Sequence, residues 1–137
     1  MSSRAKKYRI RISNELYGFL KDKSKKLYFP VGTLLQMILL QELSDRKSFI
    51  MHPSSYAFTP KQGEKSLGGG VHQISMNLTN EVFVLWNNAA IRLAEEKGYT
   101  MEEYASNDLM NEYNVALSKF RRIIVTSCIL NYKEKDK

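Results

Sequence analysis

The stretch Tyr8-Arg9-Ile10-Arg11-Ile12-Ser13-Asn14-Glu15-Leu16 decides how this chain is read. Tyr8, Ile10 and Ile12 alternate with Lys7, Arg9 and Arg11. A period of two sends the first set to one face and the second set to the other, which predicts a short strand buried on one side. Ser13 and Asn14 then offer side-chain oxygens for capping a helix N-terminus, and Glu15 suits its positive end. Leu16, Phe19, Leu20 and Leu27 follow at helical spacing, predicting a first helix over residues 14–27. Pro30 fits the first turn of a second helix. The run from Val31 to Leu43, VGTLLQMILLQEL, is apolar on nearly every side and predicts deep burial.

The same grammar returns later. Ile74, Met76 and Leu78 alternate with Gln73, Ser75 and Asn77, and Thr79-Asn80-Glu81 offers another cap. Matching Asn14 to Asn80, an offset of 66 residues, also matches Tyr8, Ile10 and Ile12 to Ile74, Met76 and Leu78. The same offset pairs Leu16, Phe19, Leu20 and Leu27 with Val82, Leu85, Trp86 and Leu93. This helix is expected over residues 80–97, stopped by Gly98 in a left-handed conformation. Thr100 with Glu103 forms a capping box for a further helix, in which Tyr104, Leu109 and Tyr113 point inward. Strand, helix and helix therefore occur twice, an internal repeat.

Residues 46–71 read as a linker between the copies, with Pro53, Pro60, several serines and Gly68-Gly69-Gly70. Beyond about residue 114, Leu117, Phe120, Ile124 and Cys128 keep helical spacing. That predicts another helix or a long extension of the last one, which either closes the core or forms a self-association surface. The tail KEKDK is expected to fray.

Charge is concentrated. Residues 1–28 hold nine Lys or Arg against two acids, and the remainder holds twelve of each, so the whole net charge of +7 lies at one end. A concentrated basic end interleaved with an apolar strand pattern is the footprint of a phosphate-binding surface. Other classes find no support. The longest apolar candidate, Val115 to Tyr132, is broken by Lys119, Arg121 and Arg122, so no membrane span is expected. The N-terminus has basic residues without the apolar core of a secretory signal. The single Cys128 makes no internal disulfide, which fits a reducing cytoplasm. His52, His72 and Cys128 lack metal-ligand spacing, and Gly68-Gly69-Gly70 lacks the Lys-Ser/Thr of a phosphate-binding loop. Capping explains Glu95-Glu96 and Glu102-Glu103 better than acid–base catalysis does. Neither an enzyme, nor a cofactor, nor a small-molecule ligand is expected.

On these residues the segment Tyr8–Leu43 resembles the ribbon-helix-helix superfamily of the Arc, MetJ and CopG repressors. Ile74–Tyr113 resembles the same unit, and Gly98-Tyr99-Thr100 is similar to the family's Gly-x-Ser/Thr turn. The resemblance implies an α+β, mostly α fold. Two units, residues 1–45 and 72–114, would form a pseudo-dimer around a two-stranded antiparallel ribbon, with an extra helix and tail in 115–137. Tandem copies in one chain resemble those of TraY-type conjugation proteins and of archaeal viral transcription regulators.

The implied function is sequence-specific binding of double-stranded DNA, with the ribbon in the major groove, as a transcriptional regulator. The resemblance assigns base contacts to Lys7, Arg9 and Arg11 in the first copy and to Gln73, Ser75 and Asn77 in the second. It assigns phosphate contacts to the helix start at Thr100 and Met101, with Lys23, Lys25 and Lys26 adding positive charge. In the first copy Phe29-Pro30-Val31 stands where the family has Gly-x-Ser/Thr, and Pro30 has no N–H to donate. Two other readings stay open: a relaxosome accessory protein, and an antitoxin-like or scaffold protein whose main partner is protein.

Overall fold

The computed structural model describes residues 6–44, 49–59, 71–100 and 110–136. It is a mostly helical α+β fold, with one two-stranded antiparallel sheet and five helices among the described residues.

Strand β1, Lys6–Ser13, realises the alternation: Ile10 and Ile12 are buried while Arg9 and Arg11 are exposed. Ser13 caps helix α1, Asn14–Leu27, its hydroxyl accepting from the Leu16 N–H at 3.4 Å. Asn14 instead reaches across to the second strand, as described below. Leu16, Leu20 and Ser24 form the buried stripe of α1. Leu27 departs from the expected inward role and is 39% exposed. The helix ends there, because Tyr28 takes a left-handed conformation (φ 61°) and donates its N–H to the Ser24 carbonyl. The chain thus turns outward at Leu27.

Pro30 stands at the N-cap of α2, Val31–Leu43, one position ahead of the first turn. Leu34, Leu35, Ile38, Leu39 and Leu43 are buried, but Met37 and Leu40 are each 45% exposed. Burial is therefore one-sided, since α2 lies between the core and solvent. At its start α2 comes very close to the second strand, β2, Val71–Leu78: a β-carbon on Gly32 would overlap the Ser75 carbonyl oxygen. Only glycine permits that approach.

Residues 49–59, inside the interval expected as a linker, carry a short helix, α3, Ser55–Phe58. After β2, Thr79 caps α4, Asn80–Glu96, accepting from the Val82 N–H at 3.4 Å. Gly98 takes φ +90° just past its end. Thr100 is described but is not helical, and Met101, Glu103, Tyr104 and Leu109 lie outside the described residues.

The last helix, α5, Met110–Lys135, is continuous over 26 residues, so the boundary expected near residue 115 falls inside it. Eight consecutive residues, Ile123 to Leu130, are buried, which leaves no side of that segment facing solvent. Its apolar content packs into the core of its own chain. Around it gather α4, α2, α1 and α3. The Trp86 indole N–H donates to the Arg121 carbonyl at 2.9 Å, and Tyr132 meets Phe19 edge-on at 6.2 Å. Polar side chains hold the 49–59 segment on α5: the His52 N–H donates to Ser127 Oγ at 2.8 Å and the Asn131 amide to the Ile50 carbonyl at 2.8 Å. The imidazole Nδ1 of His52 accepts from the Ser54 N–H, so its proton sits on Nε2, 2.7 Å from Glu134. At the far end Lys135 Nζ meets both oxygens of the buried Glu42, at 3.1 and 3.0 Å. Pairing makes burial of that carboxylate tolerable. No helix among the described residues is long and apolar enough to cross a membrane.

Candidate nucleic-acid interface

β1 and β2 pair antiparallel, with Lys7 opposite Asn77, Arg9 opposite Ser75 and Arg11 opposite Gln73. All six side chains lie on the face turned away from the helices, and all six are exposed. The sequence-expected base-contacting residues are therefore brought together as three cross-strand pairs. Behind them Ile10, Ile12, Ile74, Met76 and Leu78 are sealed against the core. Covering one face in this way is what makes an isolated pair of strands stable.

The open face is asymmetric. β1 contributes three cations, while β2 contributes an amide, a hydroxyl and a second amide. Among the described residues none of the six makes a side-chain hydrogen bond or ion pair, so their donors and acceptors are available to a ligand. Two strands stand about 5 Å apart, narrow enough for a major groove about 12 Å wide. Arg and Lys match guanine O6 and N7, and Gln and Asn match adenine N6 and N7.

Both flanks of the ribbon are stiffened by aromatic contacts. Tyr17 on α1 stacks on His72 of β2 at 4.0 Å, and His72 Nδ1 donates to Asn14 Oδ1 at 2.6 Å. Phe83 on α4 stacks on Tyr8 of β1 at 4.9 Å, with Trp86 edge-on to both rings. Neither strand end is left to fray.

The phosphate candidates scatter more. Lys23 is tied to Asp136 at 2.7 Å, and that bond holds its ammonium above the ordinary lysine value. Lys25 and Lys26 are exposed in the last turn of α1. Thr100 is half-buried, and Met101 lies outside the described residues.

Two features escaped the sequence reading. The start of α2 sits against the middle of the ribbon at Ser75, with no side-chain cap and no acid in its first turn. Its only advance sign was a glycine directly after Pro30-Val31. α5, which carries Arg121 and Arg122, also packs against β1, and the sign of these residues was a charged pair interrupting an apolar run. Among the described residues no group of His, Cys, Asp and Glu is placed to hold a metal ion. Comparison with known proteins finds no matching family model, no matching curated protein and no matching solved structure.

Proposed function

We propose that this chain binds double-stranded DNA sequence-specifically, inserting its ribbon into the major groove as a tandem ribbon-helix-helix pseudo-dimer, and regulates transcription. The observation that carries the reading is the ribbon face: six exposed polar side chains, unpaired among the described residues, in register on a platform whose reverse is the protein core. Such a face suits direct readout of base edges.

The repeat offset supports the pseudo-dimer. Arg9 stands opposite Ser75, its own counterpart 66 residues on, so a local two-fold axis runs through that pair. The same axis interchanges the Ile10–Ile74 and Tyr8–Met76 pairs. Ser13 and Thr79 cap equivalent helices, and the equivalent Tyr17 and Phe83 each stack on a ring of the opposite strand. With Arg on one half of the face and Gln, Ser and Asn on the other, the preferred site is asymmetric.

The test is selection of duplexes from a genomic library, then fluorescence anisotropy across a salt series. Arg9→Ala/Arg11→Ala and Gln73→Ala/Asn77→Ala are expected to relax preference at different base positions, each lost bidentate contact weakening discrimination by about 1–3 kcal/mol. Absence of any preferred sequence, with both variants binding like wild type, would sink the reading.

A further inference from the structure

Two guanidinium groups midway along α5 are partly buried, and no acid among the described residues pairs with them. Arg121 is held in place: its Nε and Nη2 both donate to Asn87 Oδ1, at 2.9 and 2.6 Å, and the group lies 5.6 Å from the centre of the Phe83 ring. Because Phe83 stacks on Tyr8, this places the middle of α5 along the β1 side of the ribbon. Nη1 of Arg121 has no partner among the described residues. Arg122, next along, spends one N–H on Ser118 Oγ at 3.2 Å and leaves its other donors open. Among the described residues no carboxylate pairs with either.

Burial pulls both guanidinium groups below their ordinary value, and for Arg122 the nearby charge of Arg11 pulls in the same direction. Like charges gathered and partly desolvated oppose one another in the free protein, and an arriving anion reverses that. Arginine is suited to this role because its planar fork matches two phosphate oxygens at once. Duplex geometry names the anion: the phosphate chains border the groove that the ribbon would occupy, so cations beside the strand meet phosphates where cations on its face meet bases.

We propose that α5 supplies a DNA-phosphate site flanking β1, in which Arg122, next to the fixed Arg121 on the stretch of α5 that Phe83 and Tyr8 place along the strand, grips one phosphate of the duplex backbone. The inference rests on the ribbon reading and adds to it a contact outside both repeats.

The test compares wild type, Arg122→Gln, Arg122→Lys and Ser118→Glu on a duplex carrying the selected site and on an unrelated duplex. One phosphate contact contributes about 0.9 to the slope of log affinity against log salt. Arg122→Gln is therefore expected to flatten the slope by about 0.9 and to weaken both duplexes about eightfold at 0.1 M salt relative to 1 M. Sequence preference stays as it was. Arg122→Lys keeps the slope. Ser118→Glu places a carboxylate one helical turn from Arg122, where it supports the helix and competes with DNA. It is expected to weaken binding without loss of thermal stability, so it tests the site even where Arg122→Gln folds poorly. An unchanged slope in Arg122→Gln, or unchanged affinity in Ser118→Glu, overturns the proposal. If Arg9→Ala/Arg11→Ala still relaxes preference at its own base positions in that case, the ribbon reading survives alone. A wild-type chain that binds no duplex overturns both.

Discussion

Replacing Gly32 by alanine puts one methyl group where the structure has the Ser75 carbonyl. The obstacle is backbone, in the central pair of the ribbon, so it cannot swing aside as a side chain would. Either α2 backs away, opening its contact with β2, or β2 shifts and carries its buried Ile74 and Met76 with it. Overpacking of this kind costs about 1–3 kcal/mol. Alanine's better helix propensity returns at most about 1 kcal/mol, and less in a first turn. Because the obstacle is backbone, the upper end of that cost applies, about 3 kcal/mol, and after the propensity gain a net loss of about 2 kcal/mol is expected.

Gly18 supplies the control. It lies exposed within α1, and a β-carbon there meets nothing within 4 Å, so Gly18→Ala is expected to gain about 1 kcal/mol from propensity alone. The assay is urea unfolding followed through Trp86, the single tryptophan, which is 3% exposed. With a slope of about 2 kcal/mol per molar urea, Gly32→Ala moves the midpoint down by about 1 M and Gly18→Ala moves it up by about 0.5 M. The same substitution thus has opposite signs at two helical glycines. If both midpoints rise together, α2 does not approach the ribbon as described.

Tyr28 is a non-glycine residue in the left-handed region, and its side chain is 92% exposed, so the strain is not offset by burial. Tyr28→Gly is expected to raise stability by about 1 kcal/mol, seen as a higher urea midpoint; a fall would mean the ring makes contacts that its exposure does not suggest. Cys128 is fully buried, and burial holds its thiol well above its ordinary value of 9.0. Alkylation in the native state should therefore be limited by unfolding. As pH climbs past 9.0 the unfolded chain ionises this thiol while the folded chain does not, so stability contributed below that value is progressively lost; Cys128→Ala should flatten that decline.

The features legible in the sequence were those set by local periodicity. Tyr8 to Ser13 and Ile74 to Leu78 alternate because a strand has period two, and the six residues on the opposite phase are the exposed face. Ser13 and Thr79 were readable as caps because capping is a contact between near neighbours in the chain. Gly98 was readable for the conformation it permits.

What was not legible depended on distant partners. The spacing of Leu117, Phe120, Ile124 and Cys128 announced the last helix, but not that Ile123 to Leu130 are buried on every side, because that depends on how many elements gather around it. The stretch around His52 and Ser55 has loop composition, yet it docks on α5 through polar bonds that composition does not encode. Leu27 matched the repeat and still faces outward, because its helix ends there while the equivalent helix continues past Leu93. Arg121 and Arg122 showed as interruptions of an apolar run, and only the packing of Phe83 on Tyr8 reveals which element they lie beside.

Pairing β1 with β2 inside one polypeptide has a consequence for how occupancy scales with amount. A ribbon built from two separate chains disappears on dilution, and binding through it rises with the square of concentration near that threshold. Here the tether fixes the effective concentration of one strand at the other. Both strands of the ribbon are present in a single molecule, so binding to DNA through it, as proposed, is expected to follow a first-order saturation curve and to persist at copy numbers where a two-chain ribbon would fall apart.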